Sequence, residues 1–280
     1  MRADCHTHIW LAESQLSEEF CREAQLMRTE PIDMTCTPEQ HWQAMAGVDK
    51  VVVLAFESVH LGISVPNDFV ADYCRQHPEK LFGFASVDPH WADPVAELER
   101  ARHDLGMVGL KMMPIYQGMH PLDERMIRIW AAAERLGMPV LFHQGTTFPR
   151  RAPLKYAHPE LLEDVALAFP NLKFWIAHWG HPWQEETIVL IRKQPNVYTD
   201  LSGLFYRPWQ YYNILRLAQE YQVLHKCFFG SDYPIATPED TAAGTLAVND
   251  ILEGTRLPRV DTEQLQAIIE RDPFEVLEIG

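Results

Sequence analysis

Basic side chains are scarce in this sequence of 280 residues. It contains 24 Lys and Arg against 39 Asp and Glu, which gives a formal net charge of −15 at pH 7. Nucleic acids and anionic membrane surfaces are bound through basic patches, so we expect neither as a partner. The same charge repels an anionic substrate at long range, and such a substrate would therefore need a local arginine or a metal ion.

Long apolar segments and paired cysteines are also missing. No run is long and apolar enough to cross a bilayer, and the first residues lack the basic and apolar regions of a secretory leader. The five cysteines are odd in number, scattered and without a Cys-X-X-Cys pair. Disulfide frameworks form in oxidising compartments, so we expect a reduced, cytoplasmic protein.

A glycine-rich nucleotide loop is absent too, because no Gly-X-Gly-X-X-Gly follows any strand-like run. This argues against an open sheet that binds a dinucleotide. What the sequence does contain is a series of apolar, β-branched runs that alternate with helix signals. The eight runs are Asp4–His8, Lys50–Phe56, Leu81–Val87, Met107–Met112, Pro139–His143, Leu172–His178, Asn196–Asp200 and Cys227–Asp232.

Eight strands, each followed by a helix, predict an α/β protein with the (β/α)8 TIM-barrel fold. Unbroken apolar strands suit a parallel sheet that is buried on both faces. No linker or break in composition divides the chain, so we expect one domain over residues 1–280. Residues 11–35 are long for a strand-to-helix connection, and we predict an insertion after the first strand, with a helix over Leu16–Met27.

The first strand-like run carries two histidines, in the stretch Asp4-Cys5-His6-Thr7-His8. Side chains alternate between the faces of a strand, so Asp4, His6 and His8 are expected to point the same way. Cys5 is expected to face away from them, in the core. Neutral imidazoles in this arrangement suit zinc or a neighbouring first-row metal. A histidine pair alone is weak evidence, and its value depends on the other strands.

Polar residues also end other predicted strands, at the edge of the barrel where TIM-barrel active sites lie. His143 ends the fifth strand, His178 the sixth and Asp232 the eighth, while Lys111 lies near the end of the fourth. Packing alone would not place histidine at the end of two buried strands. Four imidazoles and a carboxylate therefore predict a metal-dependent active site at this edge.

These motifs resemble the amidohydrolase superfamily, and the strand ends HQG, AHWG and GSDYP are similar to its amidohydrolase-2 branch. That branch includes aminocarboxymuconate-semialdehyde decarboxylase and related decarboxylases, lactonases and hydrolases. The resemblance implies that His6, His8, His143 and Asp232 bind one divalent metal, zinc first and manganese as an alternative, with no organic cofactor. It assigns His178 as the general acid/base beside the metal.

Other residues at this edge have several possible roles. Asp4 and Asp200 are candidates to hold the ligand histidines in orientation, or they are only strand-end residues. Binuclear members of the superfamily carry a carboxylated lysine that bridges two metals near the place of Lys111. We favour one metal, with Lys111 reaching a substrate anion; a pair with a carboxylate at the barrel edge is the third possibility.

Long loops at this edge supply candidate substrate-binding residues. Arg150, Arg151 and Arg207 are predicted to anchor a carboxylate through paired hydrogen bonds, or else they are solvated loop residues. Similar decarboxylases suggest that Arg207 could instead serve a neighbouring subunit's site, and a homodimer is expected from the resemblance alone. Aromatic side chains are expected to wall a dry pocket: Trp10, Phe148, Tyr156, Trp179, Trp183, Phe205, Tyr206, Trp209 and Tyr233.

Three functions are compatible with these residues. The first is hydrolysis of a small, carboxylate-bearing ester, lactone or amide by a metal-activated water, with His178 and Asp232 as catalytic groups. The second is non-oxidative decarboxylation of an unsaturated or aromatic carboxylic acid, with His178 protonating the carbon. The third is a non-catalytic barrel that binds a metal or ligand. We expect the hydrolase first, with the decarboxylase close behind.

Overall fold

Eight parallel strands form one sheet in chain order in a computed structural model, which describes residues 1–26 and 33–279. They are β1 (Ala3–His8), β2 (Lys50–Leu54), β3 (Leu81–Ser86), β4 (Gly109–Met112), β5 (Val140–Phe142), β6 (Phe174–Ile176), β7 (Val197–Asp200) and β8 (Cys227–Phe228). Backbone hydrogen bonds close the sheet, because the Cys5 amide donates to the Phe229 carbonyl at 3.0 Å and the Asp232 amide to the His6 carbonyl at 2.8 Å. The predicted single-domain TIM barrel is confirmed.

Helices follow the strands and surround the barrel. They are α1 (Ala12–Gln15), α2 (Glu18–Leu26), α3 (Pro38–Ala44), α4 (Asn67–Cys74), α5 (Pro94–His103), α6 (Pro114–Gln117), α7 (Glu124–Leu136), α8 (Glu163–Ala168), α9 (Gln184–Lys193), α10 (Pro208–Glu220), α11 (Pro238–Leu246), α12 (Thr262–Glu270) and α13 (Pro273–Leu277). At α3, Thr37 forms a capping box with Gln40. None of the described helices is long and apolar enough to cross a membrane.

The core has two layers, and β2 shows why its sequence is continuously apolar. Val52 and Leu54 pack in the cluster that fills the barrel interior, together with Phe84 and Trp175. Val51 and Val53 belong to the larger cluster between barrel and helices. Both faces of the strand are therefore dry, as a parallel sheet inside a layer of helices requires.

Several predicted elements end earlier than expected. β5, β6 and β8 end before His143, His178 and Asp232: His178 lies in the short 3-10 segment Ala177–Gly180, and the other two residues lie on loops. His178 and Asp232 have φ angles of 56° and 62°, in the left-handed region that a strand cannot contain. β2 ends at Leu54, and the chain continues into a short antiparallel hairpin that the sequence did not indicate, Phe56–Ser58 with Ile63–Val65.

β1 does not keep the predicted alternation of faces. Asp4 lies opposite Val51 of β2 and Thr7 opposite Val53, so three steps on β1 match two on β2. An extra residue of this kind is a β-bulge, which redirects nearby side chains. Cys5 consequently packs with the interior cluster, whereas Thr7 contacts a helix outside the barrel. The prediction that Cys5 lies in the core is confirmed, but the prediction that Asp4 shares a face with the histidines is wrong.

The helix predicted over Leu16–Met27 is present as α2, Glu18–Leu26, and a short helix that was not predicted, α1, precedes it. The Ser17 hydroxyl accepts the Phe20 amide at 3.2 Å and so begins α2. Met27 and the following five residues lie outside the described part of the chain. α2 packs Phe20 over the carboxyl end of the barrel, against Phe56 and Phe148.

Candidate metal centre and active site

Asp232 stands at the centre of a group of imidazoles at the carboxyl end of the barrel. Its Oδ1 lies 3.4 Å from Nε2 of His6 and 3.5 Å from Nε2 of His8, and its Oδ2 lies 3.9 Å from Nε2 of His178. Donor atoms of His6, His178 and Asp232 all lie within 4.8 Å of one another. One cation could therefore contact all three residues.

The protonation states of this group suit a metal. Burial lowers the pKa of His6 to about 3, with the Lys111 charge adding to the effect, and burial also lowers the pKa of His8. Neutral imidazoles keep the lone pairs that bind metals. Burial opposes ionisation of Asp232, but attraction to His178, His6 and His8 outweighs it and holds the carboxyl pKa below its usual value. Neutral nitrogens around an ionised carboxylate fit a divalent ion.

His143 lines the same pocket, but its Nε2 lies 3.2 Å from the Thr146 carbonyl. Its ring packs edge-on against His178, with the centroids 5.3 Å apart, and burial holds its pKa well below the usual value. The tightest set of donor atoms in the described residues thus contains His178, which the resemblance assigned to acid/base chemistry, rather than His143.

Asp200 and Ser202 orient two of the rings. Asp200 Oδ2 lies 3.1 Å from His6 Nδ1, and its Oδ1 accepts the amides of His178 and Ser202 and the Ser202 hydroxyl. Although burial opposes it, attraction to His6 lowers the pKa of this carboxyl. The Ser202 hydroxyl lies 2.7 Å from His178 Nδ1 and 3.0 Å from His6 Nδ1, and the Ser202 carbonyl lies 2.9 Å from His178 Nδ1.

A carboxylate that accepts from Nδ1 of His6 leaves Nε2 of that ring free to face Asp232. Asp200 is thus placed where the sequence predicted it, at a ligand ring. Ser202 was missed, because a serine beyond a strand looks like any loop residue. The one available signal was its position two residues after Asp200.

A family model described as Amidohydrolase matches residues 3–271. The chain belongs to the amidohydrolase family. Over 105 residues it is 32% identical to a curated gamma-resorcylate decarboxylase from Rhizobium sp. (strain MTP-10005), a match that spans 34% of this chain and 32% of that relative.

Solved structures extend the likeness of this amidohydrolase to the whole barrel. A probable 2-pyrone-4,6-dicarboxylic acid hydrolase from Acinetobacter baumannii has a TM-score of 0.70 at 18% identity, covering 99% of both chains. A dihydroxybenzoic acid decarboxylase from Polaromonas sp. JS666, with bound manganese, has a TM-score of 0.66 at 16% identity, covering 99% of this chain and 96% of that one. At these identities the likeness shows the fold alone.

Lys111 and Asp4 lie beside the candidate metal-binding residues of this amidohydrolase. Lys111 is 2% exposed, its Nζ lies 3.2 Å from His6 Nε2, and burial lowers its pKa to about 8. Asp4 Oδ1 accepts the backbone amides of His6 and Ser231, at 3.1 and 3.0 Å. Asp4 therefore holds backbone rather than imidazole rings, and burial raises its pKa to about 7.

The three predicted arginine anchors are exposed and do not line the pocket of the metal centre. Arg151 pairs with Glu19 of α2 at 3.7 Å, and the Arg150 backbone amide donates to a carboxylate oxygen of Glu23 at 3.0 Å. Arg207 donates to the Gly203 carbonyl at 3.3 Å and stacks on a tyrosine ring. The structure does not bring these guanidinium groups together with the metal ligands.

An aromatic wall faces the metal ligands. Trp10 and Phe148 line the pocket as predicted, and three further rings line it that were not predicted, Phe20, Phe56 and Tyr116. The other predicted aromatics lie outside this pocket. The cavity between the two walls has a volume of about 90 Å³.

Proposed function

We propose that this amidohydrolase decarboxylates a small aromatic or unsaturated carboxylic acid without redox chemistry. The observation that carries the proposal is the pairing of the metal-binding wall with an aromatic wall in one buried pocket. Rings such as Phe20 and Phe148 favour a flat ring between the walls, where offset or edge-on packing stabilises it. A small acidic substrate is the partner we propose.

The comparisons support decarboxylation above the hydrolysis that we expected first from the sequence. The curated relative is a gamma-resorcylate decarboxylase, although the match covers only a third of each chain. The Polaromonas structure is a decarboxylase of a ring carboxylic acid with bound manganese. The chemistry of the metal-binding wall suits both reactions, so the choice depends on these relatives and on the aromatic wall.

His6, His8 and Asp232 would hold the metal, with His143 completing the set, so that Nε2 of His178 stays available for proton transfer. When bound, a divalent ion supplies positive charge that holds substrate oxygens and stabilises negative charge as it develops. Manganese and zinc both fit nitrogen and carboxylate donors. Among the described residues, the cationic side chain lining the pocket is Lys111, which we propose as the anchor of a substrate oxygen.

His178 would supply the proton that replaces the carboxylate. Its Nδ1 is engaged by Ser202, so its Nε2 faces the pocket, 3.9 Å from Asp232. As the bond from ring carbon to carboxylate breaks, its electron pair stays on the carbon and takes a proton from Nε2 of the imidazolium. Asp232 stabilises that imidazolium before the transfer.

The test is a stoichiometric assay on protein supplied with manganese or zinc. Released carbon dioxide and remaining acid are measured with 2,6-dihydroxybenzoate and related ring acids, and acid release is measured with lactones and aryl esters. We expect one carbon dioxide per acid consumed, lost in His178→Asn. Acid release from lactones without carbon dioxide would instead establish the hydrolase. Metal binding without turnover of any compound would favour the non-catalytic barrel.

A further inference from the structure

A buried chain of three side chains connects the helical layer to β1 at the residue between His6 and His8. Tyr73 Oη of α4 lies 2.9 Å from His41 Nδ1 of α3, and His41 Nε2 lies 2.8 Å from Thr7 Oγ1. The Thr7 hydroxyl donates in turn to the Val52 carbonyl of β2 at 2.5 Å. His41 and Thr7 are 0% exposed and Tyr73 is 3% exposed, and none of the three lines the pocket.

The number of available protons fixes which group donates and which accepts in each of these hydrogen bonds. Thr7 uses its single hydroxyl proton on the Val52 carbonyl, so it accepts from the N–H at His41 Nε2. Nδ1 of the same ring then carries no proton and accepts from the Tyr73 hydroxyl. Burial lowers the pKa of His41 to about 3, which keeps the ring neutral, with a single N–H as this pattern requires. Each of the three side chains is therefore held in one orientation.

The hydrogen-bonded side chains reach β1 at the point where its backbone ladder with β2 is interrupted. Thr7 closes the bulge that begins after Asp4, and a bulge interrupts the regular ladder of backbone hydrogen bonds. The Asp4 carboxylate holds one side of it through the His6 amide, and the bond from Thr7 to Val52 holds the other.

His41 also contacts the neighbouring strand end of the barrel. Its ring packs edge-on against Tyr233, the residue after Asp232, with the centroids 5.8 Å apart. The Tyr233 carbonyl accepts the His8 amide at 2.8 Å. His41 thus lies against the seam that brings the histidines of β1 to Asp232.

We propose that His41, oriented by Tyr73, is a positioning residue of the metal centre. It keeps the Thr7 side chain in place. Thr7 in turn stabilises the bulge that directs His6 and His8 toward Asp232. Partners behind metal ligands commonly change metal affinity about 10- to 100-fold when they are removed. The inference rests on the metal centre of the proposed function and not on the reaction that occurs there.

The test measures metal affinity without any substrate. Chelator-treated protein is titrated calorimetrically with Mn²⁺ and with Zn²⁺, and its thermal unfolding is recorded without metal. We expect Tyr73→Phe to weaken binding about tenfold and His41→Phe to weaken it further. Tyr211→Phe is the matched control, because this tyrosine is 1% exposed and loses a similar bond, 2.7 Å from Thr245 Oγ1, away from the metal centre.

A rescue variant separates positioning from general stability. His41→Gln keeps an N–H that can donate to Thr7, so we expect it to bind metal more tightly than His41→Phe. Unchanged affinity in Tyr73→Phe and His41→Phe, with melting temperatures lowered as in Tyr211→Phe, would overturn the proposal. Absence of metal binding by the unsubstituted protein would overturn it together with the metal centre. A protein that binds metal but releases no carbon dioxide would overturn only the proposed function.

Discussion

At the scale of single residues, the candidate metal-binding side chains and Asp200, which orients His6, could be predicted, whereas Ser202 could not. His143 and His178 were recognisable because a histidine at the end of an apolar strand has no packing role. Asp232 lies in a motif of its own, GSDYP. Ser202 has no comparable signal, since its role comes from the approach of β7 to His6 and His178. The barrel fold brings these distant segments together, and the residues around Ser202 alone do not predict that contact.

The Ser202 hydroxyl should therefore matter for turnover more than for binding. In Ser202→Ala, Asp200 loses one donor and His178 loses one of its two partners at Nδ1. We expect kcat to fall roughly 10- to 100-fold with KM little changed, because the ring that transfers the proton loses a partner, whereas His6 keeps Asp200 at its Nδ1. Steady-state kinetics against pH test this, and Ser202→Thr, which keeps a hydroxyl, should recover most of the rate. Equal kcat in Ser202→Ala and the unsubstituted enzyme would contradict the assignment.

At the scale of elements, the positions of strands were predicted well but their ends were not. Apolar runs identify a buried strand, yet the left-handed backbone of His178 and Asp232 ends β6 and β8 before these residues. Non-glycine residues in this region are costly and persist where surrounding structure holds them, often at active sites. The bulge in β1 was invisible for a related reason, since it is defined by pairing with β2 and not by the residues of β1 alone.

Helix α2 forms the outer side of the pocket and should limit substrate size. Phe20 is 4% exposed, its ring centroid lies 4.8 Å from that of Phe148, and α2 is tied to the loop after β5 through Glu19 and Glu23. We expect Phe20→Leu to lower kcat/KM for a single-ring acid about tenfold, because the ring loses a stacking partner. The ratio of kcat/KM for a two-ring acid to that for the single-ring acid should rise.

The measurement is kcat/KM for the single-ring and the two-ring acid at equal enzyme concentration, in Phe20→Leu and in the unsubstituted enzyme. Phe82→Leu is the matched control, since this phenylalanine of β3 packs against Phe274 and does not line the pocket. A loss of rate that is the same for both acids in Phe20→Leu would argue against α2 as the limit on size.

At the scale of the whole molecule, the barrel was predictable because eight apolar runs alternate with helix signals over the full sequence. Which of the candidate anchors for a substrate anion lines the pocket was not predictable, because a loop arginine can point to the pocket or to solvent with the same sequence. Arg151 forms an ion pair with Glu19, whereas Lys111 is buried next to His6. The homodimer expected from the resemblance stays a prediction.

The stability of the whole fold should also depend on Glu57, a buried carboxyl in the hairpin beside the pocket mouth. It is 6% exposed with one hydrogen bond, from the Ser64 hydroxyl, and burial raises its pKa from 4.5 to about 7. A carboxyl whose pKa is higher in the folded state stabilises the fold fully below pH 4.5. That contribution is lost as the pH rises through about 7, because the folded protein must then bury a charge.

Glutamine resembles the protonated acid at every pH, so Glu57→Gln should change the pH dependence of unfolding. Relative to the unsubstituted protein, we expect the free energy of unfolding of Glu57→Gln to rise between pH 5 and pH 8.5 by about 1 to 3 kcal/mol, since one pKa unit is worth about 1.4 kcal/mol and residual solvation reduces the full effect. Urea unfolding at both pH values measures it, with the exposed Glu253→Gln as control. The difference in the free energy of unfolding between Glu57→Gln and the unsubstituted protein could instead stay constant with pH. Glu57 would then already be ionised in the folded state at pH 5, which would contradict the raised pKa.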